Sequence, residues 1–166
     1  MPHIRKVYDD LVELRRELSA LKDLILTERE AIVQLDMPGM ENCRKGVEDA
    51  YARISPISRR LAADIDHACR ISGIEGPRTL TPMMAAVPKP DREQFMRLHE
   101  EIQALSSSVD NELSVNRAIL NDSINFTSQS LTMFTSALKS TGTSVYGSAG
   151  RFVETIDQPR IICKEI

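Results

Sequence analysis

The chain is 166 residues long, 42% hydrophobic and 27% charged, with a net charge of −3 from 21 basic and 24 acidic residues. That balance argues against a dedicated nucleic-acid binder, which needs a basic excess or patch. Aromatics make up 4% with no Trp, which argues against a core built on large rings, and no apolar run reaches the ~18 residues of a membrane span. The stretch Met1 to Asp10 carries charges of both signs and lacks the apolar core of a secretory signal. Cys43, Cys69 and Cys163 are odd in number and far apart, which suits isolated thiols in a reducing cytoplasm better than a disulfide framework.

The first segment has the sharpest periodicity. Ile4, Val7, Leu11, Leu14, Leu18, Leu21, Ile25, Glu28, Ile32 and Leu35 alternate at spacings of three and four, a heptad seam that predicts a coiled-coil-like helix over 3–36. Glu28 is the one charge in the seam. It either pairs across the bundle with Arg59 or Arg60 or reaches the surface at the seam edge, and the second reading is preferred. Met37-Pro38-Gly39 is expected to stop the helix. A looser stripe, Cys43, Val47, Ala50, Ile54, Ile57, Leu61, Ile65, Ala68 and Ile71, predicts a helix over 41–72. Pro56 lies inside it. The stripe keeps its phase there, which favours a kinked helix over two helices parted at a Ser55 cap.

Residues 73–90 hold four prolines and two glycines and form a long connection, with room for one short turn through Met83 to Ala85. A third helix is predicted over 91–139, opening at Asp91 as N-cap, with Phe95, Leu98, Ile102, Leu105 and Val109 in register. Its distal part changes character. Residues 1–104 carry 34 charges and residues 105–166 only 11, with Ser, Thr, Asn and Gln in their place. Apolar residues lie there on more than one face, a surface suited to being covered. Residues 140–166 have no helical period and are expected to be a mobile C-terminal segment. The fold expected is therefore all-α: an elongated antiparallel three-helix bundle, coiled-coil-like, over 1–139, followed by that segment.

No residue set carries enzyme or cofactor chemistry by motif. His67, Cys69 and Cys43 lack metal-ligand spacing, His99-Glu100-Glu101 reads as a solvated helix face, and Gly147-Ser148-Ala149-Gly150 lacks the ending of a phosphate loop. Neither a catalytic group nor a metal nor a cofactor is expected.

The chain resembles the FlgN-like flagellar export chaperones. The family pattern in the first helix has its counterparts in Leu24-Ile25, Glu28 and Ala31-Ile32. In the last helix Asn116, Ile119-Leu120, Ile124, Leu131 and Phe134 fit, and Tyr146-Gly147 with Gly150 matches the closing element. The second segment departs most, with Lys45 as the one candidate for the family's basic position. The resemblance implies a cytoplasmic, non-enzymatic chaperone that binds the hook-filament junction proteins FlgK and FlgL, keeps them unassembled and delivers them to the type III export apparatus. The expected client surface is Asn116, Leu120, Ile124, Phe126, Leu131, Phe134, Leu138, Tyr146 and Phe152. For Asn116 a register-setting role inside the bundle is weighed beside client contact and preferred. A self-associating coiled-coil scaffold, with the same surface closing a homodimer, is the alternative.

Overall fold

The structure is a computed structural model that describes residues 2–140 together with 145–146 and 152–153. Its elements are α1 (Pro2–Gln34), α2 (Met37–Ile71), α3 (Leu80–Ala85), α4 (Lys89–Ser140), β1 (Val145–Tyr146) and β2 (Phe152–Val153). Among the described residues the fold is all-α apart from the two-residue strands, which pair antiparallel with Val145 opposite Val153 and Tyr146 opposite Phe152. Two compact units divide it, Met1–Leu120 and Asn121–Ile166, and the boundary falls within α4. The expectation of a mobile segment over 140–166 falls almost entirely outside the described residues.

In the first unit α1, α2 and the proximal part of α4 form a three-helix bundle. Val7 and Leu11 of α1 meet Ile65, Ala68 and Cys69 of α2 and Phe95 and Leu98 of α4 in one buried cluster. Farther along, Leu21 and Ile25 meet Ala50 and Val109. Rising numbers on α1 therefore match falling numbers on α2 and rising numbers on α4, which makes α2 antiparallel to both. The heptad seam of α1 supplies this core, since the 3–4 spacing keeps one side of the helix turned inward. At Gly46 the helices run close: a Cβ there would lie 3.1 Å from Leu24 Cδ2.

Pro38 does not end the first helix, contrary to the sequence expectation; it opens the second. Only Leu35 and Asp36 separate α1 from α2, and Pro38 sits in the first turn of α2. Its missing donor costs nothing there, because first-turn amides lack helical acceptors in any case. What ends α1 is a Schellman turn, in which Asp36 N donates to Ala31 O at 2.9 Å and Leu35 N to Ile32 O at 3.2 Å. Leu35 occupies the left-handed position at φ 55°. The last place of the predicted seam thus leaves the bundle, and Leu35 is 72% exposed. The same turn ends α2, where Ile74 N donates to Cys69 O and the left-handed residue is Gly73.

Helix α2 continues through Pro56 without division, so Ser55 is not a cap. Both residues are on an exposed face, where water can satisfy the carbonyl left without its amide. The connection after α2 proves to be a plug. Met83, Met84 and Val87 are buried in the first cluster. The Arg92 guanidinium pins the segment, with Nη2 donating to Ala85 O at 2.6 Å and to Val87 O at 2.9 Å. Helix α4 opens at Lys89, two residues before the predicted cap, and Asp91 lies in its first turn, where a negative charge opposes the positive helix end.

Candidate client-binding helix

The distal part of α4 is the site the sequence singles out. At 100° per residue, Leu120, Ile124, Leu131 and Phe134 fall within about 80° of arc and span about 21 Å along the axis. Ile124 is 61% exposed, Leu131 59% and Phe134 69%. Phe126 and Met133 are exposed too, at 73% and 74%, on a line about 130° around the helix from the first. Between residues 118 and 138 Asp122 is the sole charge.

The polar residues among them are threonines, serines and amides, and several hydroxyls are already engaged. Thr127 Oγ1 donates to Ser123 O and Thr132 Oγ1 to Ser128 O, each at 2.9 Å, and Thr135 Oγ1 donates to Thr132 O at 3.0 Å. Such bonds fold the hydroxyl proton back onto the helix backbone. A covering partner then strands no donor at these positions, and the methyl groups add apolar area. Burying this surface therefore costs much less than burying one lined by Lys or Glu. Leu138 shares the register by spacing, although its side chain, like those of Tyr146 and Phe152, lies outside the described residues.

Asn116 does not belong to the open surface. It is 2% exposed and wholly engaged inside the bundle. Its Nδ2 donates to Ile25 O and to Glu28 Oε2, each at 2.9 Å, and its Oδ1 accepts from Arg29 Nε at 3.0 Å. Arg29 is also paired with Glu112 on α4. Glu28 therefore meets a buried amide, not Arg59 or Arg60, and the register role for Asn116 is the one its surroundings support.

Arg60 instead binds Asp10 Oδ1 at 2.7 Å and pairs with Glu13. Arg53 binds Glu17 at 2.8 Å, and Arg15 binds Glu101 of α4 at 2.8 Å. The bond to Arg53, helped by Arg16, holds the Glu17 carboxyl below its usual range. Burial pushes the Asp10 carboxyl up against the pull of Arg60, and Asp64 adds to the rise. Asp10 Oδ2 is buried without a hydrogen-bond partner. Burial also raises the thiols of Cys43 and Cys69. His67 sets its ring edge-on to His3, with centroids 4.7 Å apart. An open cleft of about 550 Å³ between the starts of α1 and α4, lined by Tyr8, Asp9, Gln94 and Phe95 among others, had no sequence signal.

A family model described as FlgN protein matches residues 1–153. The chain belongs to the FlgN family. FlgN proteins are flagellar export chaperones for hook-associated proteins, and they are not enzymes. The match takes in the bundle and the whole distal part of α4, so the exposed stripes are part of the FlgN region. No helix among the described residues is long and apolar enough to cross a membrane. No curated protein and no solved structure matches the chain.

Proposed function

We propose that this FlgN protein works in the cytoplasm, where it holds the junction proteins FlgK and FlgL unassembled and hands them to the export apparatus. The observation that carries the reading is the charge-poor, exposed apolar stripe Leu120, Ile124, Leu131 and Phe134 on distal α4. Phe126 lies beside it, and Leu138, Tyr146 and Phe152 extend the client surface on sequence grounds. Amphipathic helical structure in the client covers the stripe, apolar side to apolar side. Such a segment would otherwise be unpaired before assembly and prone to aggregate.

Magnitudes favour a passive holder. Burying four large apolar side chains yields roughly 6–12 kcal/mol at about 1.5–3 kcal/mol each. Association itself costs about 4–15 kcal/mol, so the surplus is modest and the client can be released to another protein.

Titration calorimetry of the full chain with FlgK and with FlgL tests the reading, alongside light scattering. A monomer that forms a 1:1 complex is the expected result. A tight dimer indifferent to both proteins would assign the stripe to a self-associating scaffold instead.

A further inference from the structure

We infer that the client sheathes distal α4 with two helices, one on each apolar stripe, rather than laying a single helix in one groove. This rests on the reading of distal α4 as the client surface. The first stripe is Leu120, Ile124, Leu131 and Phe134; the second is Phe126 and Met133, whose exposures of 73% and 74% match or exceed those of the first.

Angle comes first. A helix docked on a neighbour covers a stripe a little over 100° wide. With the stripes about 130° apart, a helix centred on the first leaves Phe126 and Met133 in water. Both stripes repeat at seven residues, Ile124 to Leu131 and Phe126 to Met133, which is the spacing that receives the knobs of a coiled-coil partner. Each stripe therefore suits a helix of its own.

Area points the same way. Residues 121–140 form a cylinder about 30 Å long and 10–12 Å wide, with a lateral surface on the order of 1,000 Å². One face, a third of that, offers roughly 350 Å², less than half of the about 800 Å² that each partner contributes to an ordinary specific complex. Two flanking helices bring the buried area into that range. The threonines on this surface fit the same arrangement: Thr127 lies within the arc of the first stripe and Thr132 and Thr135 farther round the helix, and all three hydroxyls are satisfied by their own backbone, so covering them strands no donor.

The test uses the full-length chain and full-length FlgK, with one doubly substituted variant for each stripe: Ile124→Ser with Leu131→Ser, and Phe126→Ser with Met133→Ser. Far-UV circular dichroism checks that both remain helical. Each variant is expected to weaken FlgK binding at least tenfold in calorimetry, while light scattering on the unsubstituted chain gives one client per chaperone. Loss confined to the first pair would overturn the two-helix arrangement and leave single-groove docking intact. A chaperone dimer that falls apart in the second variant, with FlgK binding unchanged, would give the second stripe to another copy of the chain and also overturn the inference. Unchanged binding in both variants would instead remove distal α4 as the client surface.

Discussion

Arg29 on α1 and Asn116 on α4 lock the two helices at a fixed height: the guanidinium donates to the amide oxygen at 3.0 Å while the amide nitrogen reaches back to Ile25 O and Glu28. A half-slipped α4 would break all three bonds at once and leave half-buried charges beside a buried, unpaired amide. The pairing therefore fixes the register of α4 on α1 within the bundle.

Replacing Asn116 by Ala leaves Glu28 and Arg29 without this partner in a half-buried setting. The expected cost is about 1–3 kcal/mol. Urea denaturation followed by circular dichroism would show it as a lower midpoint, and client affinity would fall less than for substitutions on distal α4.

Leu131→Asp or Phe134→Asp should abolish client binding with the helical signal largely kept, because both side chains are exposed in the free protein. A charge placed there must be desolvated only when the partner covers it. Calorimetry and circular dichroism on the same samples separate this from a folding defect; an equal loss of helicity would make the residues structural.

Leu35 offers a stabilising change. The left-handed conformation costs a side-chain-bearing residue roughly 1–2 kcal/mol, and the equivalent turn after α2 uses Gly73. Leu35→Gly should recover about 1 kcal/mol of that, less what glycine adds to the freedom of the unfolded chain. The melting temperature is expected to rise, by at most about 2–4 °C for a chain of this size.

Acid should weaken the fold through identifiable pairs. Arg44 holds Glu41 down to about 2, and the Arg53 and Arg78 bonds hold Glu17 and Asp66 below their ordinary values. Each adds stability that is present above the unfolded carboxylate pKa and is lost as pH falls through the folded one. Asp10 has the opposite sign. Its raised pKa means that the native state takes up its proton first, so acidification relieves a penalty. Asp10→Asn lacks that relief and should lose more stability than the unsubstituted chain between neutral pH and about pH 3, measured by urea midpoints across the range.

Buried, with their thiols raised, Cys43 and Cys69 should resist alkylation in the native protein. Mass spectrometry after a short pulse of reagent is expected to find both unmodified, and both labelled once urea is added.

Much of this architecture could be read from residue order, because it rests on periodicity. The seam from Ile4 to Ile32 places α1, and the change of composition near residue 105 marks the open part of α4. The meaning of Pro38 could not be read. A proline signals only that no helix interior lies there, and it serves equally after one helix or in the first turn of the next. Arg60 with Asp10, and Glu28 with Asn116, were equally hidden, since long-range polar pairing depends on which helix faces meet and charges at the surface are abundant everywhere. The plug formed by Met83, Met84 and Val87 was concealed by its prolines. Their spacing breaks any helical stripe, although these side chains fill the core as fully as those of the long helices.

The near absence of ions on distal α4 has a consequence for selectivity. With Asp122 alone between residues 118 and 138, no pattern of opposite charges can fix the sliding position of a bound helix or turn away a near-match. Discrimination falls to shape, and attraction owes little to Coulomb forces, so complexes made here should hold nearly as well in concentrated salt as in dilute buffer. A handle of this kind grips by the fit of side chains along a few turns of backbone, whatever the ionic strength around it.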